Sequence, residues 1–208
     1  TARESMVIGT AGLTAGLCVQ KLENLNGING KNAVVTGATG GLGTLAIKLL
    51  KLLGARVTAI TTKFNEVGYL NMLGTDEIIS KDDFISSVRK PMGHGIWDIG
   101  IDTVGGDILS NLIPSMKYGG VITCCGNVAG PSFNATVYPF ILRANHLVGI
   151  DSAETPISIK SEIWNKFGSE WYLKDLDSLY KSVSIEGLII EIEKILNGEQ
   201  IGRVILSH

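Results

Sequence analysis

Apolar and polar positions along the chain switch between a period near two and a period near 3.6, and the switches mark the elements. Ala33, Val34, Val35 and Thr36 form a short strand-like run that breaks into glycines. An apolar-periodic stretch over residues 42–53 follows and ends at Gly54. A second short apolar run, residues 56–60, comes at once. Strand, tight turn, helix and strand make one βαβ unit, which crosses over right-handed with its strands parallel. Upstream, helical spacing over residues 10–24 predicts a helix, and Asn26, Gly27, Asn29 and Gly30 a turn. Downstream, residues 65–73 read as a helix closed by Gly74, 77–80 as a strand, 82–90 as a short helix and 91–95 as a surface loop. A buried strand over 97–104, a helix over 108–116 and a strand over 121–125 continue the alternation. A loop over 127–137, a helical turn over 139–144 and a last strand over 146–151 complete it. This order predicts an α/β fold built on a doubly wound parallel sheet. Past residue 152 the pattern changes. Trp164, Phe167, Trp171, Tyr172 and Tyr180 stand in polar surroundings, an amphipathic helix is expected over 185–196, and a closing strand over 202–206.

The turn inside the βαβ unit carries the first chemical signal. Ala38, Gly40 and Gly43 occupy the three positions of a G-x-G-x-x-G fingerprint. Gly40 lets the backbone approach a pyrophosphate, and Gly43 lets helix and strand pack closely. The free N–H groups at the helix start face the anion. A tight strand-to-helix turn with no ligand is the alternative. About 20 residues past such glycines an NAD site needs a carboxylate for the ribose 2′-OH, whereas an NADP site needs cationic and hydroxyl groups. Here Thr61, Thr62 and Lys63 fill that place, and no acid follows until Glu66. A phosphate beside Lys63 gains a charge-assisted hydrogen bond, so the pattern favours NADPH over NADH; a solvated loop lysine is the alternative.

Composition narrows the classes. A formal net charge of −2 and no lysine/arginine cluster argue against nucleic-acid binding. No apolar run reaches the ~18 residues of a spanning helix, and no signal peptide opens the chain, which suggests a soluble cytoplasmic protein. Cys18, Cys124 and Cys125 give neither a disulfide framework nor a metal-ligand spacing. The histidines are scattered, so no metal is expected. The opening on Thr1 rather than methionine suggests a piece of a longer protein.

Two motifs point elsewhere and fail. Thr36, Gly37, Gly41 and Gly43 match T-G-x-x-x-G-x-G, the short-chain dehydrogenase/reductase signature, but none of the five tyrosines has a lysine four residues on. No G-K-[S/T] ends the glycine run, so a P-loop is excluded. Asp98 and Asp102 share a strand face, yet a capping or turn role for Asp102, next to Thr103 and the following glycines, is favoured over paired acid/base work.

The chain resembles the medium-chain dehydrogenase/reductase superfamily, and within it the zinc-independent quinone oxidoreductase and acrylyl-CoA reductase branch. The resemblance runs through residues 9–15, 36–46, 62–63, 69–70, 97–106, 117–120, 138–143, 149–152 and 202–203, with branch-specific matches in particular at 139–143 and 149–152. It implies a Rossmann domain over 1–152, and a segment over 153–208 that completes a catalytic domain whose N-terminal barrel-like part would precede Thr1. It implies that Thr39, Gly40, Gly41 and Leu42 line the pyrophosphate, and that Thr61, Thr62 and Lys63 hold the 2′-phosphate and ribose. Lys81 would add charge on the adenine side. Asn127, where the branch has leucine, would serve the nicotinamide half through its backbone; Ile141 and Ser152 match cofactor-contacting positions, and Asn197 stands near the nicotinamide end. Ala11 stands where zinc-dependent relatives carry a cysteine ligand, which disfavours zinc.

The implied reaction is hydride transfer from NADPH to an activated C=C bond or a quinone, with an enone, enoyl-CoA or quinone as substrate. No residue is identified as a general acid. A non-catalytic NADPH-binding sensor or interaction module is the alternative. Relatives pair through sheet-edge strands, and residues 121–125 or 146–150 are the candidates for a homodimer contact. An exposed apolar patch is expected past residue 153, where the absent domain would pack.

Overall fold

The computed structural model describes residues 1–88 and 92–207. Its centre is a parallel sheet of six strands in the order β3-β2-β1-β4-β5-β6. These are β1 (Asn32–Thr36), β2 (Arg56–Thr61), β3 (Glu77–Ser80), β4 (Trp97–Asp102), β5 (Met116–Cys124) and β6 (His146–Gly149). The chain winds from β1 out to β3 and then returns to lay β4 on the other side of β1, so the winding reverses between β1 and β4. Both are almost wholly buried, which is why β1 reads as a continuous apolar run, while β4 carries Asp98 and Asp102, whose carboxylates are hydrogen-bonded.

One face of the sheet is covered by α1 (Ala2–Asn26), α2 (Gly41–Leu52) and α3 (Val67–Leu73). The other is covered by α4 (Lys81–Ser87), α5 (Gly106–Leu112) and α6 (Tyr138–Arg143). The doubly wound fold expected from the alternation is the fold found. A further helix, α7 (Ile157–Phe167), lies against α1. Gly16 of α1 makes this approach possible, since a Cβ there would stand 2.5 Å from Ile163 and 3.3 Å from Phe167. Ile163, Phe167, Trp171 and Leu176 therefore join the same apolar core as Leu17, Val19 and Leu22. The chain closes with β7 (Tyr180–Val183), α8 (Leu188–Leu196) and β8 (Arg203–Leu206), and β7 pairs with β8 in parallel.

Several boundaries differ from the pattern-based expectation. Helix α1 starts at Ala2 rather than residue 10 and is broken at Gly9, whose φ of 50° is non-helical. Residues 119–120 are not a turn between elements but lie within β5. Trp97 pairs with Met116 and Ile99 with Val121, so the intervening residues loop out as an irregularity, with Gly119 at φ 69°. The helix expected over 108–116 is shorter because Pro114 sits in a 3-10 turn over Ile113–Ser115. The short helix ends at Ser87, and residues 89–91 of the expected helix and loop lie outside the described residues. Strand β5 has neighbours on both sides, so residues 121–125 offer no free edge; β6 does. Among the described residues, no helix is long and apolar enough to cross a membrane.

Asp98 holds the irregular start of β5 in place. Its carboxylate accepts from Lys117 Nζ at 2.9 Å and from the Asn32 amide at 2.9 Å. Burial pushes its pKa up, but the Lys117 and Asn32 hydrogen bonds outweigh it and hold the group below its ordinary value of 3.8. A depressed carboxylate pKa contributes stability above the unfolded value, and that contribution is lost as pH falls through the folded one. Thermal melts of the wild type are therefore expected to lose stability as pH drops below about 3.8. Asp98→Asn should flatten that loss while lowering stability at neutral pH; an unchanged acid slope in the variant would refute the assignment.

Candidate functional site

The glycine turn lies at the carboxyl end of β1, beside the reversal in winding, where open α/β sheets place their ligands. Gly37 takes φ 60°, and Gly40 precedes α2 with no side-chain cap. The first helical hydrogen bond runs from the Thr44 amide to the Gly40 carbonyl at 2.9 Å. The amides of Gly41, Leu42 and Gly43 come before it, at the positive end of a twelve-residue helix. Gly43 must be glycine because a Cβ there would overlap the Gly37 carbonyl oxygen and stand 2.9 Å from Ala38 Cα.

Asp102 fixes this turn against β4. It is fully buried, accepts from Thr36 Oγ1 at 2.7 Å and from the Gly105 amide at 2.9 Å, and burial pushes its pKa up. Thr103 completes the tie, its hydroxyl donating to the Thr36 carbonyl at 2.9 Å. This is the turn role expected for Asp102.

A cleft of about 260 Å³ opens over the turn. Thr39, Gly40, Thr61, Thr62 and Lys63 line one side, so five of the sequence-derived site residues are brought together. Val104, Ile108 and Ile195 supply an apolar wall. Thr39 and Thr61 hydroxyls lie 3.4 Å apart, and the Lys63 amide donates to Thr61 Oγ1 at 2.9 Å. Burial lowers the Lys63 pKa while Glu66 and Glu199 act in the opposite sense. Among the described lining residues, Lys63 is the one titratable group.

The remaining sequence-derived residues lie outside this lining. Gly41 and Leu42 follow it directly at the start of α2. Lys81, Asn127 and Ser152 come just after β3, β5 and β6, so each stands toward the same carboxyl end of the sheet. Ser152 accepts from Thr14 Oγ1 at 2.8 Å. Ile141 is 69 % exposed on α6, and Asn197 caps the end of α8 next to the lining residue Gly198.

Sequence reasoning missed what the C-terminal segment brings. The Gly202 amide donates to the Thr39 carbonyl at 2.9 Å. Arg203, half-buried, donates from Nε to the Val7 carbonyl at 2.9 Å, and its Nη1 would be 3.2 Å from a Cβ on Gly41. The adjacent Gly-Arg step was the available signal, but nothing local ties it to a helix start far upstream. A larger cleft, about 620 Å³, opens at the opposite end of the sheet among Asn32, Arg56, Asp76 and Trp97. It has no glycine turn and no helix start, so its size does not make it the better candidate.

The cysteines do not form a metal set. Cys18 and Cys125 sulfurs touch at 3.8 Å, and the Cys18 thiol together with burial pushes the Cys125 pKa far up, which makes an unreactive thiol. Among the described residues no three His, Cys, Asp or Glu side chains come together at metal-binding spacing.

The chain is similar to several known proteins. A family model described as zinc-binding dehydrogenase matches residues 41–166. The chain is 35% identical over 206 residues to the acrylyl-CoA reductase of Ruegeria pomeroyi, covering 99% of this chain and 62% of that protein. An oxidoreductase of Salmonella enterica, solved in complex with NADP, superposes with a TM-score of 0.93 at 35% identity, covering 100% of this chain and 64% of that one. A Bacillus subtilis protein solved with NAD bound gives a TM-score of 0.93 at 36% identity, covering 100% and 64%. The chain thus spans less than two thirds of the length of each of these relatives.

Proposed function

The chain belongs to the zinc-binding dehydrogenase family of the medium-chain dehydrogenase/reductase superfamily, and on that premise we propose that it is the NADPH-binding part of an oxidoreductase that reduces an activated C=C bond or a quinone. The observation that carries the cofactor choice is Lys63 at the mouth of the cleft, with Thr61 and Thr62 beside it and no carboxylate among the described lining residues. The pyrophosphate is assigned to the amides of Gly41, Leu42 and Gly43, with the Arg203 guanidinium alongside. Thr39 and Thr61 hold the turn to the end of β2, and Val104, Ile108 and Ile195 accept the apolar faces of the adenosine. When bound, NADPH supplies the hydride. The protein's share is to fix the dinucleotide and exclude water.

The family name implies zinc, but the described residues do not offer a zinc ligand set, and Ala11 occupies the position of a zinc-ligating cysteine in zinc-dependent relatives. No step here is routed through a metal. The domain division proposed is a cofactor domain over 1–152 and a segment over 153–208 that packs on a barrel-like domain supplying the substrate wall. Helix α8 supports this. Its buried residue is Glu191, which accepts from Lys181 at 2.7 Å and Lys194 at 2.9 Å. Ile189, Ile190 and Leu196 are instead 57–79 % exposed, an apolar face of a kind that marks an interface. Joint replacement of Ile190 and Leu196 by glutamate is expected to change unfolding free energy by no more than about 0.5 kcal/mol while cutting the binding of an apolar-surface dye. A large loss of stability would show that the face is already packed. The proposed second copy of the chain would pair along β6.

The functional test is NADPH oxidation in the presence of acrylyl-CoA, a simple enone or a quinone. It is run on this chain alone and on the chain joined to the barrel-like domain of a relative. Turnover that rises on joining supports the two-domain reductase. Tight NADPH binding with no turnover in either form would favour the non-catalytic sensor, a reading kept open by the lack of any acid or base among the lining residues besides Lys63.

A further inference from the structure

Four hydrogen-bonding contacts close a ring around the mouth of the cleft. The Lys63 ammonium donates to the Gln200 carbonyl at 2.9 Å, and the Lys63 amide to Thr61 Oγ1 at 2.9 Å. Thr61 and Thr39 hydroxyls stand 3.4 Å apart, and the Thr39 carbonyl accepts the Gly202 amide at 2.9 Å. The ring joins the end of β2, the glycine turn and the segment between α8 and β8. That segment has a fixed foot at Gly202, where φ is 59° and a Cβ would stand 2.6 Å from the Leu179 carbonyl oxygen and 2.7 Å from the Tyr69 hydroxyl. Tyr69 is itself tied to α2, its hydroxyl 3.0 Å from Thr44 Oγ1. Between foot and helix, the amides of Asn197, Gly198 and Glu199 donate to the Glu193, Ile195 and Lys194 carbonyls at the end of α8, and the Gln200 side-chain amide donates to the Ile201 carbonyl at 2.9 Å. These bonds lie within the segment and its own helix and do not reach across the cleft. Residues 197–199 are exposed, and Gln200 Oε1 is buried with no hydrogen-bond partner among the described residues. A buried acceptor left unpaired opposes the closed position, and the Lys63 contact is what ties the Gln200 stretch across the cleft to the end of β2.

We propose that residues 197–202 form a strap over the cleft, that Lys63 fastens it, and that an adenosine 2′-phosphate on the same ammonium tightens it. The proposal rests on the NADPH reading above and adds how that site recognises its ligand. A lysine carries three N–H donors. One is used by the Gln200 carbonyl, and the others are available to a phosphate. Ordering this long side chain has an entropic cost. Once a phosphate has met it, the strap closes at lower cost, and the converse holds by reciprocity. A ligand lacking the 2′-phosphate gives the lysine no second anchor and leaves the strap as it was. Selectivity for NADPH then lies partly in a segment more than a hundred residues from the fingerprint, whose Gly198 and Gln200 line the same cleft.

The test is hydrogen–deuterium exchange of residues 197–202 in the 208-residue chain, free and with saturating 2′,5′-ADP or 5′-ADP, with occupancy set by calorimetry. In the ligand-free protein, Lys63→Ala is expected to speed exchange roughly fivefold, the equivalent of one net hydrogen bond, and Lys63→Arg to restore it. In the wild type, 2′,5′-ADP is expected to slow exchange by a similar factor, and 5′-ADP to leave it unchanged. Exchange that does not respond to Lys63→Ala overturns the fastening. Exchange equally slowed by both nucleotides, or by neither when both bind, overturns the coupling to the 2′-phosphate. If neither nucleotide binds, the cofactor reading fails and the coupling with it, while the ligand-free comparison still decides whether Lys63 holds the strap.

Discussion

Replacing Lys63 by alanine is expected to weaken NADPH binding about tenfold and at most roughly 150-fold, and to leave NADH binding within about twofold. A charge-assisted hydrogen bond to an anion contributes about 1.5–3 kcal/mol, which sets that range. The lower end is favoured on two grounds. Lys63 is only partly removed from water, and Glu66 and Glu199 already act on it, so an arriving phosphate meets a cation that is partly neutralised. NADH lacks the group that Lys63 would meet, and its affinity depends on the glycine turn and the apolar wall, which the substitution does not touch. Calorimetric titration of both coenzymes into wild type and variant reads the ratio directly. A preference for NADPH that survives the substitution would remove Lys63 from the site.

The largest loss of stability is expected at Asp102. Removing its side chain by Asp102→Ala leaves two buried donors, the Thr36 hydroxyl and the Gly105 amide, without acceptors. At about 1–3 kcal/mol for each unsatisfied group, the expected cost is roughly 2–6 kcal/mol, a large share of an ordinary domain's stability. Asp102→Asn keeps an acceptor for one donor and should cost about half as much. The pH dependence has the opposite sign to that of Asp98. Burial raises the folded-state pKa of Asp102, so its ionisation opposes folding as pH rises above the ordinary value of 3.8, and acid does not erase its hydrogen bonds. Denaturant unfolding of the two variants at neutral pH gives the comparison. A cost below about 1 kcal/mol for Asp102→Ala would mean that water replaces the carboxylate, contrary to its complete burial.

The parts of this protein legible in its sequence are those whose cause is local. The run from β1 through the glycines into α2 announces itself because strand period, turn and helix period follow one another within thirty residues, and Gly54 and Gly74 each stop a helix with φ above 80°. The carboxyl-end location of Thr39, Thr61 and Lys63 follows from that unit alone. Other features depend on distant partners. The polar surroundings of Trp164 and Phe167 hide α7 because its apolar stripe is narrow and has meaning only against Gly16 of α1. The glycines at 119 and 120 resemble a turn, yet the pairing of β4 with β5 turns them into an excursion within a strand. The strap escapes sequence reasoning most completely, since Lys63 and Gln200 are 137 positions apart and the bond uses a backbone carbonyl that any residue could supply.

Central to the proposed function is one placement of the dinucleotide, at the carboxyl ends of the strands with its 2′-phosphate on Lys63. A crystal structure of the chain grown with NADPH tests it most directly. The expected result is a 2′-phosphate oxygen within hydrogen-bonding distance of Lys63 Nζ and the pyrophosphate against the amides of Gly41 and Leu42. A dinucleotide found instead in the larger cleft beside Arg56 and Trp97, or one at the glycine turn with its 2′-phosphate turned away from Lys63 into solvent, would contradict it.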